Sequence, residues 1–115
     1  MAAMINRRPI FLTATVVAIA ALGGQAASSG AAGRTVTLKS IAFSPKSVSI
    51  AKGSSVTFAF RDGSTTHNVV STGSRRFKAI GNRSSGSVRR VFTRPGVYRY
   101  QCTLHPGMTG RITVR

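Results

Sequence analysis

From residue 34 onward, apolar side chains recur at every second position in short runs, and this alternation limits the folds open to the chain. Turn sequences such as Asp62-Gly63 and Pro95-Gly96 separate the runs. A period of two is that of a half-buried β-strand, because successive strand side chains point to opposite faces of a sheet. No stretch beyond residue 26 has a helical period. We therefore predict an all-β sandwich or barrel.

The alternation predicts seven to eight short strands with little or no helix. We expect the last predicted pair to hold Tyr98, Tyr100 and Cys102 on one strand face and Ile112 with Val114 on the other strand. The earlier alternating sets are Val36 with Leu38, Ile41 with Phe43, Val48 with Ile50, and Val56 with Phe58 and Phe60. Further strands are expected at 65–70, 77–80 and 87–92, with a loop from Gly81 to Gly86.

Residues 1–26 are interpreted as an export signal. Arg7 and Arg8 precede an uncharged, mostly apolar run of 13 residues, and small residues around Ala26 suit cleavage there. The run is short for a membrane-spanning helix, although an uncleaved anchor is the alternative. The arginine pair also fits a twin-arginine signal, which leaves the export route open. Residues 27–33 are then a flexible lead-in to a domain at 34–115, located in the periplasm, the cell envelope or the extracellular space.

The charge of the chain is very unbalanced: 17 Lys and Arg face a single acid, Asp62, for a formal charge of +16. The hydrophobic fraction of 42% is that of a folded domain and excludes a disordered basic tail. A basic module that binds nucleic acid is a minor alternative, which the export signal argues against. We favour a surface adapted to an anionic membrane or cell envelope, and we expect an acidic protein partner and no nucleic acid.

The chain has one cysteine, so it cannot form an internal disulfide. A lone cysteine in an exported protein is a free thiol, an intermolecular bridge or a metal ligand. Cys102, His105 and Met108 lie at three-residue intervals near the end of the chain, and His67 is the only other histidine. One thiolate, two imidazoles and a thioether are the ligands of a blue-copper site.

Each of these residues also has an ordinary structural interpretation. A lone buried cysteine acts as a small hydrophobe, a histidine beside valines packs in the core, and a methionine near a chain end does the same. Their common spacing favours a metal site. Cys102 follows His67 by 35 positions, an interval that accommodates about three strands, so the two ligand strands can be neighbours. Asn68 either links the two ligand segments by hydrogen bonds or is a simple turn residue.

The run from Phe92 to Val114, with Cys102-Thr103-Leu104-His105-Pro106-Gly107-Met108 at its centre, resembles the C-terminal signature of the cupredoxins. It is closest to the plastocyanin, amicyanin and pseudoazurin group, and the short Cys-to-Met spacing is amicyanin-like. His67-Asn68-Val69-Val70 resembles the first-ligand segment of that family. The resemblance extends from about Thr35 to Val114. The short segment between His67 and Cys102 and the strong basic charge depart from the better-known members.

The resemblance implies a Greek-key β-sandwich with one type 1 copper ion bound by His67, Cys102, His105 and Met108. It also implies a one-electron carrier that is not an enzyme. Electrons would pass through His105, and Leu104 with Pro106 would form an apolar docking rim around it. A copper storage or delivery protein without a redox partner is the alternative. A single acid leaves no carboxylate pair for acid–base catalysis. We also expect the protein to be a monomer.

Overall fold

The computed structural model describes residues 33–115, which form nine β-strands and no helix. The predicted export signal and residues 27–32 of the lead-in lie outside the described residues. The strands are β1 (Arg34–Leu38), β2 (Phe43–Ser44), β3 (Ser47–Ile50), β4 (Ser55–Phe60), β5 (His67–Ser71), β6 (Ile80–Arg83), β7 (Ser87–Val91), β8 (Gly96–Gln101) and β9 (Thr109–Val114). Residues 33–115 include no helix of the length and hydropathy that a membrane span needs.

The strands form two sheets. Sheet I has the order β2-β1-β4-β7 and sheet II the order β3-β9-β8-β5-β6. Most neighbours are antiparallel, and the exceptions are the parallel pairs β1 with β4 and β3 with β9. The all-β prediction is confirmed, with nine strands where seven to eight were expected.

The apolar residues of both sheets meet in one core. Phe58 of sheet I packs edge-to-face on Tyr100 of sheet II, with ring centroids 5.5 Å apart, and Phe43 also packs edge-to-face with Tyr100. Phe77 lies in the connection before β6 and contacts the rings of Phe58, Phe92, Tyr98 and Tyr100. Burying large aromatic rings is the main source of stability in a domain this small.

Two local predictions were wrong. The strand expected at 77–80 lies instead at Ile80–Arg83, because Phe77 turns inward to the core. β6 therefore includes residues that were expected to belong to the loop from Gly81 to Gly86, and it pairs with β5. Ile41 was expected to continue the buried alternation into Phe43. It is 51% exposed, because Ser40 and Ile41 form a tight hairpin turn between β1 and β2.

Candidate metal centre

The predicted ligands lie together at one end of the sandwich, beside the connection between β8 and β9. Cys102 directly follows β8, and His67 opens β5, which is the neighbour of β8 in sheet II. The two ligand strands are therefore neighbours, as the 35-residue interval predicted, and the chain between them includes β6 and β7. Two ligands fixed to adjacent strands have little freedom to rearrange.

Ligand atoms of His67, Cys102 and His105 all lie within 4.8 Å of one another. Cys102 Sγ is 3.8 Å from His67 Nδ1, and the two histidine rings have centroids 4.8 Å apart. Sulfur and nitrogen bound at about 2.3 and 2.0 Å in a trigonal plane stand roughly 3.7 Å apart, with bond lengths taken from zinc sites. The spacing of Cys102 and His67 therefore matches two ligands of one ion.

The loop between β8 and β9 closes on itself through its ligands. The Cys102 N–H donates to the Met108 carbonyl at 3.0 Å, and the Met108 N–H donates to the His105 carbonyl at 3.1 Å. Gly107 has φ of 87°, a conformation that favours glycine, and it turns the chain back toward β9. These bonds hold the segment that carries Met108, whose side chain is buried, against the segment that carries Cys102.

Hydrogen bonds leave the same nitrogen available on each histidine. His67 Nε2 is 2.8 Å from Asp62 Oδ2, and His105 Nε2 is 3.1 Å from the Thr66 carbonyl. When each Nε2 carries the proton and donates it, each Nδ1 is free to bind a metal. Partners of this kind fix the tautomer and the orientation of a ligating imidazole.

Asn68 bridges the two ligand segments. Its side-chain amide donates to Thr103 Oγ1 at 2.7 Å and to Asn82 Oδ1 at 3.0 Å, and its Oδ1 accepts the Thr103 N–H at 2.8 Å. The Asn68 main-chain N–H also points at Cys102 Sγ, 3.5 Å away. Of the two roles considered for this residue, the bonds are those of a link between β5 and the ligand loop.

Sequence reasoning missed the role of Asp62, which it used only as a turn residue. The carboxylate accepts hydrogen bonds from His67 and from the Ile41 main-chain N–H, the latter at 3.0 Å. The Ile41 bond, and then the His67 bond, hold the pKa of Asp62 below its usual range. A signal was present in the sequence, because the only acid of the chain lies five residues before His67.

The four predicted ligands differ in exposure. His67, Cys102 and Met108 are 0%, 2% and 3% exposed, whereas His105 is partly exposed. Leu104 and Pro106, the predicted docking rim, flank His105 in sequence and are exposed, Leu104 at 43%. Three of the four predicted ligands are therefore buried, and the site reaches the surface at the His105 imidazole.

The donor set fits copper. A thiolate, two imidazoles and a thioether are soft and borderline ligands, and no carboxylate oxygen completes the set as it would for a hard cation.

A family model for the cupredoxin-like domain matches residues 12–114.

The chain belongs to the cupredoxin family. The match begins at residue 12, inside the predicted export signal. A comparison with curated protein sequences finds no significant match.

Solved structures give the same fold. A Cu-containing nitrite reductase from Thermus scotoductus SA-01 is 28% identical, with a TM-score of 0.65 over 73% of this cupredoxin. The match spans only 22% of the nitrite reductase chain. A purple cupredoxin from Nitrosopumilus maritimus is 24% identical, with a TM-score of 0.64 over 71% of this chain and 99% of its own. A proline-to-glycine variant of amicyanin in its reduced Cu(I) form is 23% identical, with a TM-score of 0.66 over 78% of this chain and 89% of its own.

Proposed function

We propose that this cupredoxin is an exported type 1 copper protein that carries single electrons between redox partners. The observation that supports this proposal most strongly is the buried Cys102 thiol, which faces two imidazoles within 4.8 Å on a rigid pair of strands and a short loop. Copper bound there would alternate between Cu(I) and Cu(II). We assign His67, Cys102, His105 and Met108 as its ligands.

The protein supplies rigidity to this reaction. His67 is fixed by Asp62, and Asn68 ties the strand of His67 to the loop that follows Cys102. Because the same contacts serve both oxidation states, few atoms need to move when an electron arrives or leaves. The Asn68 N–H near the Cys102 sulfur would offset part of the thiolate charge, and hydrogen bonding at this sulfur tunes the potential of copper sites.

We propose His105 as the point where electrons enter and leave. It is the one partly exposed member of the set, and exposed Leu104 and Pro106 surround it with apolar surface. An apolar rim permits close, dry and brief contact with a partner, which suits the small interfaces of redox complexes. Given the excess of basic residues, we expect an acidic protein partner and a monomeric carrier.

Two other functions use the same ligands. A storage or delivery protein would bind copper without rapid electron exchange. A catalytic role is suggested by the nitrite reductase match, but that match covers 22% of the enzyme, and we propose that this chain alone has no such activity. Nitrite incubated with the copper-loaded protein and a reductant should remain unconsumed.

Electron self-exchange distinguishes a carrier from a storage protein. Mixtures of the Cu(I) and Cu(II) forms are examined by NMR over a range of oxidised fractions. A carrier gives averaged, broadened resonances for residues near the site and keeps its copper through repeated cycles. Separate, sharp resonances, together with loss of copper to a Cu(I) chelator on reduction, would favour storage or delivery.

A further inference from the structure

A polar groove crosses the outer face of sheet II, on the opposite side of the sheet from the core. It has a volume of about 320 Å³, and its lining includes Tyr100 and Gly110 of the paired strands β8 and β9. Three cations and three hydroxyls line it: Lys46, Arg99, Arg111, Ser47, Thr72 and Thr109. None of the six is a predicted copper ligand.

Strand register explains why these groups meet. Arg99 of β8 lies directly opposite Arg111 of β9, and Ser47 of β3 lies opposite Arg111 on the other side. Thr72, just beyond β5, donates its N–H to the Arg99 carbonyl. The four residues form one row across the sheet, and like charges placed directly opposite each other destabilise a strand pair.

The cations of the groove have no compensating partner among residues 33–115. The side chains of Lys46, Arg99 and Arg111 make no hydrogen bond or ion pair there. By contrast, the guanidinium groups of four other arginines donate to main-chain carbonyls: Arg61, Arg76, Arg83 and Arg90. The only acid, Asp62, is bonded to His67 and Ile41. The groove therefore keeps three positive charges free to meet a negative ligand.

We propose that this groove is a binding site for a phosphate group. Guanidinium groups bind phosphate oxygens through paired, charge-assisted hydrogen bonds, and the three hydroxyls offer further donors around the same space. A volume of about 320 Å³ lies at the lower limit for small-ligand pockets. It suits inorganic phosphate or the phosphate headgroup of a lipid. The site does not depend on the proposed electron-carrier function.

The test measures binding of inorganic phosphate to the purified protein by isothermal titration calorimetry at constant ionic strength, with chloride as the balancing anion. Arg99→Gln and Arg111→Gln remove one cation each from the groove. Arg89→Gln is the matched control, because Arg89 is exposed on β7 of sheet I and the change in charge is the same. All three positions are exposed, so the variants should fold, and unfolding curves check this.

Saturable binding is expected in the wild type. Each groove variant should weaken it about tenfold or more, as expected for loss of a hydrogen bond to a charged group, while Arg89→Gln should change it less than about twofold. Phosphate should also raise the melting temperature of the wild type and the control more than that of the groove variants. Equal weakening in all three variants, or no saturable binding, would overturn the proposal, because diffuse positive charge would then explain any attraction.

Vesicles identify the source of the phosphate. Binding is measured to phosphatidylcholine vesicles with and without phosphatidic acid, again at constant ionic strength. A lipid headgroup as ligand predicts binding that the groove variants lose, that Arg89→Gln keeps and that inorganic phosphate inhibits. The alternative outcome is that vesicle binding falls equally in all three variants while inorganic phosphate binding is lost only in the groove variants. That result would support the site and assign it to free phosphate.

Discussion

At the scale of single residues, Asp62 serves two neighbours with one carboxylate oxygen. Ser40 and Ile41 both have positive φ, 54° and 55°, which is unusual for non-glycine residues and most of all for a β-branched one. The Ile41 N–H of this turn and the His67 ring both bond to Asp62 Oδ2. The carboxylate therefore fixes a strained turn and a predicted copper ligand together.

Replacing Asp62 with Asn should raise the reduction potential of the copper site. Asn keeps an acceptor oxygen for His67 but lacks the negative charge of Asp. That negative charge stabilises Cu(II) relative to Cu(I), so its loss raises the potential. Cu(II) affinity should fall about 10–100-fold, the usual effect of losing a partner of a ligating residue. Redox titration and competition with a Cu(II) chelator measure the two effects. Asp62→Glu keeps the charge and should lie nearer to wild type; an unchanged potential in Asp62→Asn would contradict the role given to Asp62.

Asn68 should matter for stability as well as for the site. Asn68→Ala removes three side-chain hydrogen bonds at a buried position and leaves the Thr103 N–H without its acceptor. We expect a loss of about 2–4 kcal/mol in the free energy of unfolding of the copper-free protein, from typical values for buried hydrogen bonds. Urea unfolding measures it. The control, Asn82→Ala, removes one of the three bonds from an exposed residue and should cost clearly less; similar losses would show that the bridge to Thr103 contributes little.

At the scale of elements, the pairing of β8 with β9 depends on a glycine. Tyr100 and Gly110 are cross-strand partners, and a Cβ at position 110 would overlap the Tyr100 ring. Aromatic rings that lie across a glycine in this way leave no space for another side chain. The ring is buried and also packs on Phe43 and Phe58, so moving it away from position 110 would disturb the core.

Gly110→Ala should therefore destabilise the domain by about 1–3 kcal/mol, the usual cost of overpacking a core. It should also disturb the spectrum of bound copper, since β8 and β9 carry the ligand loop between them. Gly81→Ala is the control, because a Cβ there meets nothing within 4 Å. Chemical unfolding of both variants decides the matter, and equal stability would contradict the packing described for Tyr100.

The elements also show how far the sequence alone could lead. Alternation located β1, β3, β8 and β9, because each has one face in the core and one in solvent. It also located β4, whose apolar side chains alternate with Ser, Thr and Ala in the sequence although neither face of that strand is exposed. It could not locate β6, whose four residues include only one buried side chain, Ile80. It could not predict the turn at Ile41 either, because that turn is held by the hydrogen bond that the Ile41 N–H donates to the distant Asp62 carboxylate. The cluster of His67, Cys102 and His105 was recoverable from residue types and spacing; the partners Asp62, Thr66 and Thr103 depend on the folded geometry.

At the scale of the whole molecule, charge dominates. Residues 33–115 hold 15 basic residues and one acid, so long-range attraction should govern encounters with charged partners. For the copper-loaded protein, oxidation by the anion ferricyanide should slow as salt rises, and oxidation by the cation cobalt tris-phenanthroline should quicken, because salt screens both attraction and repulsion. Stopped-flow measurements at several ionic strengths check this. Rates that respond to salt in the same direction for both reagents would contradict electrostatic steering.

We propose that Cys102, with His67 and His105, binds one copper ion as a type 1 site, and visible absorption tests this assignment most directly. One equivalent of Cu(II) added to residues 27–115 should produce an intense blue thiolate-to-copper band that ascorbate bleaches, and Cys102→Ser should lack the band. Intense colour that persists in Cys102→Ser, or copper binding without such a band in the wild type, would contradict the assignment.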